Sequence, residues 1–364
     1  GSGYWAHQYD TTFDWNSKYD SPAGPAYGYF GGGNNPSTPS GYSTVDRIDY
    51  GNDTATAAAK GPLTRSNFNF TATGNQSYGY FVGQQSPAIS TVDRIDYGND
   101  TATALLKGNL SSARWGLGST GNIPYGYFAG GKDTCSTVDR LDYSSDASTM
   151  SPKGPLERSA WGITAGGNLS YGYFAGGSPG YTTLVSRLDY ASDTSTASPK
   201  GNLAQSWYDG GHSGNDSYGY WAGGAVPGGS HISTVSRIEY ANDTATASPK
   251  GPLSAAKQYC GGTGSSSYGY YGGGNKPSGV SSVDRLDFNN DTTTASPKGP
   301  LSAAKIYIGA TSAQTNGFPA GSTELYTCAL SPVNDGSWHH VVMTRESGTQ
   351  QTYYDGVGIT TTAG

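Results

Sequence analysis

Charged side chains recur at fixed positions along this 364-residue chain. Six arginines each stand two residues before an acid, which places both side chains on the same face of an extended strand. The pairs are Arg47/Asp49, Arg94/Asp96, Arg140/Asp142, Arg187/Asp189, Arg237/Glu239 and Arg285/Asp287. Because a planar guanidinium group matches a carboxylate, the set predicts ion pairs within or between repeats. The alternative is a ring of charges that reads a ligand. We favour the structural interpretation because the set occurs in every repeat.

Six lysines recur in the same way, each at the start of a Lys-Gly-(Pro/Asn)-Leu turn. They are Lys60, Lys107, Lys153, Lys200, Lys250 and Lys298. Their presence in every repeat again favours a structural role over a role in binding a ligand.

Residue patterns that would support catalysis are sparse. No histidine falls in a repeating metal-ligand spacing; the five are His7, His212, His231, His339 and His340. A GxSxG elbow and an EF-hand spacing are both absent from the sequence. The three cysteines occupy unrelated positions, which is typical of small buried residues. We therefore predict no enzyme activity, no catalytic residue, no metal site and no cofactor.

Composition narrows the class of protein further. Glycine (56) and tyrosine (29) are abundant whereas only 13% of residues are charged, which argues against a helical bundle and favours short strands with tight turns. With a net charge of −6 and no basic patch, nucleic acid is not an expected partner. No apolar run approaches the length that spans a bilayer, so no membrane span is predicted.

An internal repeat determines which elements position these residues. Each unit has a Tyr-Gly-Tyr-aromatic anchor, which begins at Tyr27, Tyr78, Tyr125, Tyr171, Tyr218 and Tyr268. A Val-x-Arg segment and the lysine turn follow. The valine lies 15 residues before the lysine in all six units, and the lysine lies 18 residues before the next anchor in all five internal cases. The distance from anchor to valine, however, is 18, 14, 13, 14, 17 and 15 residues, so all length variation lies in one connection.

Each unit of 46 to 51 residues offers four short strands. We expect the first at residues 114–118, the second at the anchor (125–129) and the third at 136–143. A turn such as 51–53 leads into a fourth strand at the following Thr-Ala-Thr. Six such units predict an all-β, six-bladed β-propeller. The alternative has seven blades, in which residues 3–6 and a C-terminal piece share the last blade. We expect the anchor to be an inner blade strand whose glycine permits close packing near the axis.

The units resemble kelch repeats across residues 23–315. The resemblance lies in an aromatic strand ending in Gly-Gly, as at Gly130-Gly131, then a strand ending in Tyr and a Pro-Leu loop. The second unit departs with Gly83-Gln84, and all units lack the tryptophan that kelch blades place after the tyrosine. The units are also similar to Gly/Tyr-rich propeller repeats of phage and marine-virus structural proteins, including tail-fibre types. Both resemblances imply a kelch-like propeller.

The two ends of the chain have different expectations. Residues 305–311 should supply the missing innermost strand of the blade that contains Tyr27. We divide the chain into an N-terminal arm (1–22), the six-repeat propeller (23–315) and a small β-rich extension (316–364). The extension resembles laminin-G/concanavalin-like domains in Trp338-His339-His340-Val341 and Tyr353-x-Asp-Gly, which lie on neighbouring strands in that family. The chain begins in mid-pattern, so we expect it to be processed or cut from a longer polypeptide.

The varying connection is the candidate binding site, because loops that vary on a rigid scaffold are where recognition is normally built. Its candidate contact residues are Tyr42, Gln84, Lys132, Tyr181, His231 and Lys276. The main hypothesis is a non-enzymatic structural or adhesive module of a virion fibre or other extracellular surface. Its partner would be a glycan or protein receptor, or neighbouring subunits in a homo-oligomer or multi-protein fibre. The alternatives are an intracellular kelch-type adaptor and a carbohydrate-active enzyme that uses the central channel.

Overall fold

The structure is a computed structural model. It describes residues 26–35, 41–66, 68, 71–83, 87–132, 135–276, 278–314, 341–346, 349–354 and 357–359. Of Lys276 and of the described residues from 341 onward, only the backbone is described. The chain divides into two compact units, one of residues 24–320 and the other of residues 1–23 with 321–364. The expected N-terminal arm, residues 1–22, lies outside the described residues.

The larger unit consists of antiparallel four-stranded sheets, the blades, which we number in chain order. Blade 1 begins with β1 (Tyr27–Gly31), β2 (Val45–Asp49) and β3 (Ala58–Lys60). Blade 2 has β4 (Thr71–Gly74), β5 (Tyr78–Val82), β6 (Thr91–Asp96) and β7 (Leu105–Asn109). Blade 3 has β8 (Gly118–Gly121), β9 (Tyr125–Ala129), β10 (Val138–Asp142) and β11 (Ser151–Lys153). Blade 4 has β12 (Thr164–Gly167), β13 (Tyr171–Ala175), β14 (Val185–Asp189) and β15 (Ser198–Pro199).

Blade 5 has β16 (Gly211–Gly214), β17 (Tyr218–Ala222), β18 (Val235–Glu239) and β19 (Ser248–Lys250). Blade 6 has β20 (Gly261–Gly264), β21 (Tyr268–Gly272), β24 (Val283–Asp287) and β25 (Ser296–Lys298), with a small hairpin of β22 (Asn275–Lys276) and β23 (Ser278–Gly279) in its varying connection. A 3-10 turn follows each third strand: Tyr50–Asn52, Tyr97–Asn99, Tyr143–Ser145, Tyr190–Ser192, Tyr240–Asn242 and Phe288–Asn290.

The ring closes through strand β26 (Gly309–Ser312), which is the innermost strand of blade 1. It runs antiparallel to β1, with Gly31 opposite Gly309 and Gly28 opposite Ser312. The prediction of an all-β propeller with six blades is thereby confirmed, as is the prediction that the C-terminal end of the repeat region completes the first blade. The pairing begins at residue 309, whereas the sequence predicted that it would begin at residue 305.

The predicted first strand of blade 3 was placed too early. In blade 3 the strand is Gly118–Gly121 and not 114–118. Gly116 has a φ of +73°, a left-handed conformation that interrupts extended structure before the strand can begin. The segment we expected to be a strand is therefore the approach to it.

The fourth strand was also misplaced. It is Ala58–Lys60 in blade 1, whereas Thr54-Ala55-Thr56 belongs to the preceding turn, in which the Ala55 amide donates to the Asn52 carbonyl. The third strand is shorter than expected, at Val138–Asp142 in blade 3, because the 3-10 turn begins at the next residue.

The hydrophobic core lies between neighbouring blades, where the two aromatic residues that follow each anchor glycine are almost completely buried. Between blades 3 and 4, for example, Tyr127 packs with Ile163 and Tyr190. The glycine serves these contacts and not the axis: a Cβ at Gly126 would lie 2.8 Å from the Tyr143 hydroxyl and 3.0 Å from Thr73 of the preceding blade. Anchor strands are second from the axis, so the glycine does permit close packing as predicted, but the packing joins neighbouring blades.

The described part of the smaller unit is an antiparallel sheet of β27 (Val341–Glu346), β28 (Thr349–Tyr354) and β29 (Val357–Ile359). Val342 lies opposite Tyr353 across β27 and β28. The tryptophan and histidines of the laminin-G-like motif, residues 338–340, lie outside the described residues. No described helix is long and apolar enough to cross a membrane.

Candidate functional site

The six repeated arginines form ion pairs, but the partner lies in the next blade. Arg140 contacts Asp193 of blade 4 at 2.8 Å, and the other five arginines contact the equivalent aspartate at 2.7 to 2.8 Å. These partners follow the 3-10 turns and are Asp100, Asp146, Asp193, Asp243, Asp291 and, across the closing junction, Asp53. We call each arrangement a blade joint.

Each joint is completed by a lysine and two tyrosines. Lys153 contacts Oδ1 of Asp193 at 3.7 Å. The buried Tyr127 hydroxyl donates to Oδ2, which Arg140 also contacts, at 3.0 Å. The Arg140 guanidinium lies 4.2 Å from the ring centroid of Tyr125. All six joints repeat this set, so the repeated lysines also link blades.

The pKa values of two joint carboxyls show how well these groups are matched. Burial alone would raise the pKa of Asp53 and of Asp146. Hydrogen bonds from Tyr270 and Tyr80, with the charges of the paired arginines, outweigh burial and hold both pKa values below the usual range. These aspartates are therefore ionised and satisfied within the fold.

The acids two residues after each arginine have another role. Asp49, Asp96, Asp142, Asp189 and Asp287 each accept a hydrogen bond from the backbone N–H two residues on, at 2.9 to 3.0 Å. Glu239 makes no such side-chain cap. These acids cap the 3-10 turns, so the expectation that they belong to the ion-pair set was wrong. Sharing one face of a strand was not sufficient, because the next blade offers a better placed carboxylate.

A second set of ion pairs is fully buried. Three residues beside the first strands each meet an aspartate in the third strand of the same blade: Lys305 with Asp46, Arg114 with Asp139 and Lys257 with Asp284, at 2.9 to 3.0 Å. In blades 4 and 5 that aspartate is Ser186 or Ser236, and the basic position holds buried Ala160 or Trp207. Among these blades, a buried basic residue is therefore present only where a buried aspartate is present. An unpaired charge would be costly to remove from water.

The varying connections lie on one face of the propeller, which we call the variable face. Isolated bridges join them to the segments that lead into the first strands, such as Trp161 to Ser178 and Tyr208 to Ala225. Both kinds of segment therefore meet at the same end of the central channel. We call this end of the channel the mouth.

The mouth is bounded by a belt of backbone hydrogen bonds between blades. In blades 4, 5, 6 and 1, the residue two positions before the first strand donates to its counterpart in the preceding blade: Gly162 to Gly116, Asp209 to Gly162, Tyr259 to Asp209 and Tyr307 to Tyr259, at 2.8 to 3.0 Å. Every one of these residues has a positive φ. Two are glycines, but Asp209 (+54°), Tyr259 (+62°) and Tyr307 (+58°) carry side chains in a conformation that such residues rarely adopt.

These three side chains line a cavity of about 100 Å³ that extends between the first residues of the first strands. The ring centroids of Tyr259 and Tyr307 are 3.7 Å apart. Burial, followed by the neighbouring phenol, raises the pKa of Tyr259; burial also raises that of Tyr307, and the negative charge of Asp209 acts on both in the same direction. The carboxylate and the two phenols are thus neighbours at the mouth.

Asp209 differs from the buried aspartates of the propeller. Among the described residues, its carboxylate has no hydrogen bond or ion pair, and it lies over the Cα of Gly162, where a Cβ would be 2.8 Å from Oδ1. Burial raises the pKa of Asp209 to about 7. The mouth therefore contains a half-buried acid whose charge the described protein groups do not compensate.

An arc of aromatic rings surrounds the mouth in blades 2 to 5. Its members, three residues before each first strand, are Phe68, Trp115, Trp161 and Tyr208, all half-buried. The Trp115 and Trp161 rings meet edge to face at 5.9 Å, as do those of Trp161 and Tyr208. Faces and edges of such rings bind apolar sugar faces, peptides or cations.

The structure brings two of the predicted contact residues to this arc. The Lys132 ammonium lies 4.5 Å from the centroid of the Trp161 ring, and the Tyr181 ring meets that of Tyr208 at 5.1 Å. Tyr42 is half-buried, with its ring 5.4 Å from the Lys305 ammonium, and His231 is half-buried in its own loop. Gln84 and the side chain of Lys276 lie outside the described residues.

Sequence reasoning did not identify Asp209, Tyr259, Tyr307 or any member of the arc as a contact residue. These positions lie in the segment of constant length before the first strand, which was interpreted as a strand. A signal was nevertheless present: aligning the repeats on their lysines places Gly, Gly, Asp, Tyr and Tyr at one position in blades 3 to 6 and 1. That position changes residue type where most of the repeat stays constant.

His212 also lines the cavity but is buried against Trp221, with ring centroids 4.6 Å apart. Burial lowers its pKa to about 3, so the imidazole is neutral at physiological pH. Within the described ranges, no group of three or more His, Cys, Asp or Glu side chains is arranged to hold a metal ion.

Comparison with known proteins identifies the fold. No protein-family model matches the chain, and a search of curated proteins finds no match. Among solved structures, one described as "Structure of YjhT" is similar with a TM-score of 0.58 and 10% sequence identity, over 68% of this chain and 88% of that chain. At this identity the likeness shows the propeller fold alone.

Proposed function

We propose that this propeller is a non-enzymatic recognition module that binds a glycan or a protein through its variable face. In this proposal it belongs to a virion fibre or another extracellular surface assembly. There it lies beside further copies of itself or other subunits. The rigid ring presents the loops, and the loops contact the ligand.

The observation that carries the proposal is that variation in loop length and variation in residue type occur on the same face. The connections between second and third strands are the segments whose length varies among repeats, and they meet the mouth and its aromatic arc. On the other face, the 3-10 turns repeat at constant length with the same cap in five blades. Variation confined to one face of a repetitive scaffold supports recognition there.

Replacing loops tests this proposal. The connections 178–183 and 225–232 would be exchanged for Gly-Ser segments of equal length, and binding would be measured on a glycan array and on candidate host surfaces. We expect at least a tenfold loss of binding. The matched control replaces Asp216 and Ser217, in a hairpin on the opposite face, and should leave binding unchanged. Full binding by both loop variants would contradict the proposal.

The non-enzymatic part needs its own experiment. A panel of glycosidase and oxidase substrates should show no turnover by the purified chain. Turnover that disappears on changing Asp209 to Asn would overturn this part of the proposal, because it would show that the mouth performs chemistry.

A further inference from the structure

The mouth holds a negative charge that the fold does not use. The nine buried aspartates among the described residues all have a charged or hydroxyl partner: five lie in joints, Asp139 pairs with Arg114, two pair with lysine, and Asp93 accepts from Thr64 at 2.5 Å. Asp209 is the one aspartate among the described residues that line the cavity, and it has no such partner there. Even a half-buried carboxylate without a partner costs free energy on folding, so its presence calls for an explanation.

Backbone strain at the same place points away from folding as that explanation. The belt of hydrogen bonds uses a left-handed residue in each of the five blades where this position is described, and glycine supplies it at positions 116 and 162. Aspartate and tyrosine take the same conformation at 209, 259 and 307 although a left-handed residue other than glycine is disfavoured by about 1–2 kcal/mol. The belt itself uses only their backbone. Strain retained at adjoining positions around a cavity is typical of binding sites.

The chemistry of the lining favours a cation over other ligands. No described lysine or arginine lies within 4.0 Å of the Asp209 carboxylate, while Lys257 and Lys305 are committed to buried aspartates. Aromatic rings lie beside the carboxylate, and rings attract organic cations through their negatively charged faces. A metal ion prefers several oxygen ligands, but the described residues provide no such cluster here.

Size is consistent with a small group. The cavity of about 100 Å³ is well above the ~10–15 Å³ that one water molecule needs. It admits an ammonium group with short substituents while the rest of the ligand lies outside, toward the arc and the varying loops.

We propose that the mouth binds an organic ammonium group, with its positive charge against the Asp209 carboxylate and its substituents against Tyr259 and Tyr307. The site adds a ligand chemistry to the proposed recognition function and rests on that function only for the choice of face. A receptor would present this group as an alkylammonium on a glycan, lipid or protein. The ammonium group that the mouth binds is the chemistry common to all three.

Choline is a suitable probe because 3,3-dimethyl-1-butanol has the same shape without the charge. The full chain would be titrated with each compound by calorimetry at pH 8, where Asp209 is ionised. We expect saturable binding of choline and at least tenfold weaker binding of the uncharged compound. Equal binding of the two, or no binding of choline, would overturn the proposal.

Variants locate the binding. Asp209→Asn should weaken choline at least tenfold, and Tyr307→Gly, which installs the residue used at positions 116 and 162, should weaken it while the chain stays folded by circular dichroism. Asp216→Asn, an exposed acid in the same blade, is the matched control and should bind as the wild type does. Unchanged choline binding by Asp209→Asn would overturn the proposal, as would binding of neutral hexoses at the mouth in place of choline.

The loop replacements separate this proposal from the proposed function. Loss of surface or glycan binding in the loop variants with intact choline binding would support both. Loss of choline binding in Asp209→Asn with unchanged loop dependence would show that the ammonium site stands apart from the loops. Absence of choline binding with loop-dependent recognition would reject the ammonium site alone.

Discussion

The blade joints and the mouth both combine aspartate with tyrosine, but they differ in whether the aspartate is paired with a cation. At a joint, an aspartate such as Asp193 receives an arginine, a lysine and a tyrosine hydroxyl from the neighbouring blade, and this arrangement occurs six times around the ring. At the mouth, an aspartate lies beside tyrosines without a cation, in one blade. Repetition with complete pairing indicates a structural role, whereas departure from the repeat with incomplete pairing is what the proposed binding site at the mouth requires.

The difference follows from what each region must do. A joint has to hold two blades in contact, so every buried charge needs compensation within the protein. A binding site must leave part of its hydrogen-bonding and charge capacity for a ligand, and the rigid surroundings support the strain. The joints thereby supply the stability that lets the mouth remain incomplete.

Changing Asp284 to Ser should have the largest effect. The change leaves the Lys257 ammonium, 1% exposed, without its carboxylate, and we expect a loss of about 3–5 kcal/mol in the free energy of unfolding. Denaturant unfolding provides the measurement. The double variant Asp284→Ser/Lys257→Ala imitates blade 4 and should recover at least half of the loss. No recovery would show that the pairing of acid and base among repeats has another cause.

At a joint, Tyr127→Phe removes only the hydroxyl that donates to Asp193. Because this hydrogen bond is to a charged and buried group, we expect a loss of about 1.5–3 kcal/mol in the free energy of unfolding. The equivalent variants Tyr173→Phe and Tyr220→Phe should agree with it, since their hydroxyls bond the next aspartate at the same 3.0 Å. Disagreement among the three would break the equivalence of the joints.

Opposite pH dependences should distinguish the two regions. The pKa values of Asp53 and Asp146 are lowered in the fold, so their stabilisation is present above the usual carboxyl value near ~3.9 and is lost as the pH falls through the lowered values. The pKa of Asp209 is raised to about 7, so the folded state is favoured when Asp209 is protonated, and that stabilisation is lost as the pH rises from ~4 through 7.

Asp209→Asn should therefore gain stability relative to the wild type between pH 5 and pH 8. The other titratable groups near Asp209 are Tyr208, Tyr259, Tyr307, Cys260 and His212. Burial raises the pKa of Cys260 to about 11 and lowers that of His212 to about 3, so neither titrates in this range. Unfolding curves at the two pH values, with Asp216→Asn as the control, measure the difference. A stability difference independent of pH would contradict the assignment.

The smallest change in stability is expected from Tyr307→Gly. Relief of a left-handed tyrosine is worth about 1–2 kcal/mol, whereas the added freedom of glycine in the unfolded chain and the lost ring contacts oppose it. We expect the free energy of unfolding to change by no more than ~1 kcal/mol, although a whole side chain is removed. A loss larger than that of Tyr127→Phe would show that the mouth tyrosine serves the fold and would remove the contrast between the regions.

Much of the propeller could be predicted from the sequence. The constant spacing from valine to lysine and from lysine to anchor predicted six equal blades and the exchange of a C-terminal strand into blade 1, because repeated local patterns form repeated local structures. Strand bounds within a blade were less predictable. The left-handed residues at positions such as Gly116 interrupt a pattern that otherwise reads as extended.

The sequence by itself determined the unit that repeats, the number of units and the connection in which they differ, because those features depend on neighbours along the chain. Only the tertiary structure decided which charges meet. Arg140 lies two residues from Asp142 in sequence but contacts Asp193 of the next blade, since packing two blades together brings a fully compensating set around that carboxylate. The mouth was decided in the same way: Asp209, Tyr259 and Tyr307 are about fifty residues apart and become neighbours only when six blades close around one axis.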